Sequence, residues 1–155
     1  MYSELIVLIL TGEGDSDIVW RTLERSHNGE LLMLIDMILI HRDNHGKLAF
    51  QMRWKESDHI DVDHSRLAGA FAEAIFGNSR AEDRRRLAEA GLDPLFLQDV
   101  VQALKPEGAA YLIHVPSESQ IDTRRHLEIL GSLQGGLYHT TFRPQVEEAL
   151  LNHNQ

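Results

Sequence analysis

The chain has 155 residues, 43% of them apolar and 25% charged, enough for one domain to bury a core without a metal or disulfide staple. It has no cysteine, which removes thiolate catalysis, disulfides and cysteine-based zinc sites and fits a reducing cytoplasm. With 24 acidic and 15 basic residues the net charge is −9, which repels nucleic acid and anionic lipid.

In chain order, Ser3 to Leu10 is a short apolar run closed by Thr11-Gly12-Glu13-Gly14, the pattern of a buried strand and a turn. No Lys or Arg precedes the run, so a signal peptide is not expected, and no stretch reaches the roughly 18–20 apolar residues of a membrane span. Asp15 or Ser16 caps a helix running towards Asn28-Gly29. Leu31 to Ile40 reads as a central strand. Asp36 is its one charge, a strand-start position first, a buried hydrogen-bonded acid second and a functional acid third. Asp43-Asn44-His45-Gly46 is a turn, and Lys47 to Trp54 alternates as a hairpin partner.

A helical excursion from about 57 to 92 follows. Leu67, Phe71, Ala74 and Ile75 form a stripe that stops at Gly77, and residues 81–90 make a charged helix that stops at Gly91. Arg84-Arg85-Arg86 lies within helical reach of Glu82, Asp83 and Glu89 and reads as a solvated face, not a nucleic-acid patch. Asp93-Pro94 opens a third helix, which Pro106 ends near Lys105. Ala109 to Val115 is a strand, a helix follows Ser117 or Ser119, Leu137 to Phe142 is the last strand, and Pro144 opens a terminal helix. This order predicts a single α+β domain over 1–155. The sheet is ferredoxin-like, mostly antiparallel and of about five strands, with helices on one face.

Four stretches together resemble a known family. SELIVLIL, MILIHRDNHGKL, LKPEGAAYLIHV and GGLYHTTF resemble, in order and spacing, the strand and turn segments of domain-of-unknown-function family 1269, small bacterial proteins labelled uncharacterised membrane proteins. That family has a long Gly/Ala-rich apolar segment in its middle. Here only LAGAFAEAIFG keeps that character, and RAEDRRRLAEAG is too charged for hydrocarbon. The resemblance implies a soluble relative and no particular activity.

The densest group of metal-competent side chains is ESDHIDVDHS. Asp58, His59, Asp61, Asp63 and His64 could hold a divalent metal, yet there is no calcium-loop glycine and the two histidines lie five apart. The plainer reading has Asp63 or Ser65 capping a helix over 65–76. TGEGDSD lacks the lysine and the glycine spacing of a phosphate loop. There is no G-x-S-x-G, and Glu147 and Glu148 are adjacent on a helix, pointing apart. Among nine histidines, His41, His114 and His139 fall on strands and raise the question of a shared site.

The expected function is therefore a non-enzymatic module that self-associates or binds a protein partner, with Leu67, Phe71, Ile75 and Phe76 as its surface and no cofactor. The alternatives are a metal- or small-ligand-binding protein, conceivably a hydrolase, built on residues 58–64, and peripheral membrane attachment through residues 67–76.

Overall fold

A computed structural model of the chain describes residues 3–10, 18, 21, 25, 36–45, 47–51, 62–77, 81–115 and 136–153. Its strands are β1 (Ser3–Leu10), β2 (Asp36–Arg42), β3 (Leu48–Gln51), β4 (Ala109–Val115) and β5 (Gly136–Phe142). Its helices are α1 (Val62–Phe76), α2 (Ala81–Ala90), α3 (Pro94–Ala103) and α4 (Pro144–His153). Ile18, Arg21 and Arg25 are also helical.

The strands form one sheet in the order β3-β2-β4-β1-β5, every neighbouring pair antiparallel. It follows that β1 and β2 run the same way with β4 between them, and β4 and β5 run the same way with β1 between them. The fold class is α+β, as the alternation of patterns predicts. β3, added outside β2, and the three-helix insertion α1–α3 depart from a plain four-strand ferredoxin-like sheet.

Strand periodicity divides the sheet into two faces. Leu5 and Val7 of β1, Ile38 and Ile40 of β2, Ala110 and Leu112 of β4 and Phe142 of β5 join the core formed with α1 to α4. From the helices come Phe71, Ile75, Leu87, Phe96, Leu97, Val100, Val146 and Leu150. The opposite face carries Ile6, Leu8, Met37, Tyr111 and Ile113, equally buried. A strand dry on both sides reads as a continuous apolar run, which is why SELIVLIL does not alternate.

Local chemistry sets the helix ends. α1 begins at Val62, a turn before the expected 65, so Ser65 lies within the helix and is not its cap. At the other end Arg84 donates from Nη1 to the Ile75 carbonyl at 3.0 Å, satisfying an acceptor that the helix leaves open. Its neighbour Arg85 stands 3.7 Å from Glu89 in the exposed pairing that the sequence spacing predicts. Asp93 caps α3, accepting from the Leu95 amide at 3.0 Å, with Pro94 in the first turn. The Asp43 carboxylate accepts from the amides of His45 and Lys47, both at 2.8 Å, and so holds the β2–β3 turn.

α2 ends in a Schellman motif. The Leu92 amide donates to the Leu87 carbonyl at 3.0 Å and the Gly91 amide to Ala88 at 3.1 Å, while Leu87 and Leu92 bury their side chains. Gly91 has φ 120°, and a Cβ there would meet nothing within 4 Å. Its substitution is therefore a pure backbone test. Gly91→Ala is expected to cost about 1–3 kcal/mol, seen as a lower urea midpoint at unchanged slope.

Candidate functional site

Three polar side chains meet on the helix-covered face, where the start of β1, the end of β4 and α4 come together. Pairing sets Leu5 opposite His114, so Ser3 two residues earlier and His114 share a face. α4 packs there through Val146 and Leu150, and this brings Glu147 in its first turn over the strand ends. Ser3 Oγ donates to Glu147 Oε1 at 3.1 Å, and His114 Nε2 lies 3.4 Å from the same oxygen. The His114 side chain is 2% exposed and that of Glu147 28%. Phe71 and Phe142 wall the imidazole, their ring centroids 6.3 and 5.9 Å from it. Asp36 of β2 lies opposite His114 in the strand register.

Contact with His114 is the largest influence on the Glu147 carboxyl and lowers its pKa below the ordinary 4.5. Burial opposes that shift, and the Ser3 hydroxyl adds to it. The order of the three groups decides their chemistry. An activated serine needs the imidazole as its proton acceptor, with the acid behind the imidazole. Here the acid is in the middle and the serine hydroxyl donates to it. This is a polar clamp that seats α4 on the sheet.

A second acid–imidazole pair lies on the opposite face of the same strand ends. His139 pairs with Ile6, so its side chain shares a face with that of Glu4. His139 Nδ1 is 3.4 Å from Glu4 Oε1, with the glutamate side chain 2% exposed and the histidine 52%. The two pairs are thus separated by the sheet itself.

The three strand histidines do not share a site. His114 faces the helices. His41 and His139 lie on the other face, on β2 and β5, with β4 and β1 between them, roughly 14 Å apart across the sheet at three strand spacings and offset by about 13 Å along it. Of the metal-competent residues, Asp58, His59 and Asp61 lie outside the described residues. Asp63 and His64 fall in the first turn of α1, where the positive helix end favours a carboxylate, and their side chains are also outside the description. Among the described residues no three His, Asp or Glu side chains group to hold a metal ion.

The side chains assigned to a partner surface turn inward. Phe71 and Ile75 are fully buried, Phe76 nearly so, and half-buried Leu67 packs against the same core. The small residues beside them serve this packing. Ala68 and Ala72 are fully buried, and a Cβ on Gly69 would sit 3.9 Å from Ile38 Cδ1, so α1 lies close on β2. The same burial removes residues 67–76 as a membrane-facing stripe. No described helix is long and apolar enough to cross a membrane.

Ser3 and Glu4 were missed by sequence reasoning, which set Glu147 aside by weighing it only against Glu148. The signal for Glu4 was an acid at the start of a strand otherwise apolar to its end, which needs a partner once buried. In comparisons with family models, curated proteins and solved structures, nothing matches this chain.

Proposed function

We propose that this chain is a non-enzymatic cytoplasmic module that acts by associating with itself or with a protein partner, and that it is a relative of family 1269 lacking the long apolar segment. The observation that carries this reading is the outer edge of β5. β5 is the last strand of the sheet, seven residues long, with no Asp, Glu, Lys, Arg or Pro in GLYHTTF. Among the described residues it pairs with β1 alone, and no other backbone hydrogen bond reaches it. Edge strands that must stay single are kept short, charged or interrupted by proline. β3 at the other edge follows that pattern, with four residues preceded by Lys47. β5 has none of these protections within its seven residues, Arg143 and Pro144 following only after its last one, and a strand of this kind offers main-chain groups to another strand.

The chemistry of the buried acids adds support. Ser3, His114 and Glu147 are arranged to hold α4, with the serine hydroxyl committed to the carboxylate. Light scattering on the purified chain tests the reading. An apparent mass that rises with concentration towards a multiple of 17.6 kDa is expected, and a constant single-chain mass up to high micromolar concentration would end it.

A further inference from the structure

We propose that the outer edge of β5 docks a second copy of this chain, the two β5 strands pairing antiparallel about His139 so that two five-strand sheets become one. This rests on the self-association reading and adds the surface, the partner and the register.

Self-pairing of an edge strand about a two-fold axis normal to the sheet matches each residue with one on the same face, so the axis must pass beside a residue and not between two. β5 runs from Gly136 to Phe142, and only an axis at His139 engages all seven residues. Any other register leaves at least two residues unpaired at the strand ends. With the axis there, Tyr138 meets Thr140 of the second copy, Leu137 meets Thr141, and Gly136 meets Phe142. An aromatic beside a β-branched residue is a favourable cross-strand pair, and two-fold symmetry makes it twice.

Charge confines contact between two copies to a surface such as this one. The chain carries a net −9, so two copies repel over most of their surface. β5 has no permanently ionised side chain. The two His139 rings that meet at the axis each have their own Glu4 carboxylate 3.4 Å away. A foreign strand would lack this matched pair of imidazole and acid. One strand-to-strand contact is small beside the ~1,200–2,000 Å² of a standard interface, so the dimer is expected to be weak and concentration-dependent.

The absence of cysteine makes the register directly testable. In an antiparallel pair, Cα atoms facing each other stand about 4.5–5.5 Å apart, within disulfide reach. His139→Cys is expected to cross-link to itself under mild oxidation. Because that change removes the Glu4 partner, Leu137→Cys and Thr141→Cys supply a second route: neither should link strongly alone, and their mixture should form the mixed disulfide. Thr141→Lys places a charge on an exposed edge position and is expected to weaken dimerisation by about tenfold or more while leaving the monomer folded. A wild-type chain that is monomeric at high micromolar concentration overturns both this inference and the reading beneath it. A wild-type chain that associates, with Thr141→Lys unaffected and no cross-link from either route, overturns the β5 interface and leaves self-association standing.

Discussion

Phe71→Ala is expected to lower the unfolding free energy by about 3–5 kcal/mol, a large part of the roughly 5–15 kcal/mol that holds a domain together. Phe71 has no exposed surface and meets Phe142 edge-on with ring centroids 5.2 Å apart, while its other contacts include the His114 imidazole at 6.3 Å. It therefore ties α1 to β4 and β5 at once. Removing the ring leaves a cavity between a helix and a sheet that are both fixed by other contacts, so collapse can fill little of it. Urea or thermal denaturation measures the loss. Leu95→Ala is the control: that side chain is 67% exposed, and a change of no more than about 0.5 kcal/mol is expected. The pair also separates two roles for α1. Were Phe71 part of a partner-binding surface, its alanine variant would keep monomer stability and lose association instead.

Glu147→Gln is expected to destabilise the chain by about 1–2 kcal/mol at neutral pH, with a gap that closes on acidification. The substitution keeps the shape of the side chain, so it tests the charge placed beside His114 and Ser3. The Glu147 carboxyl, held low first by His114, gives up its proton more readily folded than unfolded, where it titrates near its ordinary 4.5. Its stabilisation is thus fully present above about that pH and is lost as pH falls through the lower folded value. Denaturation of both proteins at neutral pH and again well below 4.5 measures the difference. A gap unchanged at low pH would mean that the amide disturbs packing and that the carboxylate charge contributes nothing.

Much of the fold was legible because it rests on local rules. β1 and β4 have the predicted limits, since apolar runs bounded by turn residues define them. Gly91, Asp93 and Pro94 mark ends through backbone geometry and caps, and the structure places helix boundaries at those residues. The start of α1 was harder. Acids such as Asp63 suit both the cap and the first turn, so composition left the boundary open by a turn. The inward turn of Phe71, Ile75 and Phe76 was not legible either. Counting apolar residues on one helix cannot tell how much sheet surface waits to receive them, and here β2 approaches closely over Ala68 and Gly69. The two acid–imidazole pairs were hidden for a related reason. Ser3 and Glu147 meet only because β1 and α4 come from opposite ends of the sequence, a pairing that no window of neighbouring residues contains.

The place of β1 in the sheet has a kinetic consequence. It is the first strand of the sheet in chain order, yet its ladders are with β4 and β5, and Ser3 stands opposite Phe142. No partial product ending before β5 can hydrogen-bond both sides of this apolar strand, so a nascent chain carries SELIVLIL incompletely paired until β5 has been made. Sheet closure across such separations is slow compared with local helix formation. Refolding of the chain is therefore expected to be limited by sheet closure, and slower than that of a protein whose strands pair in chain order.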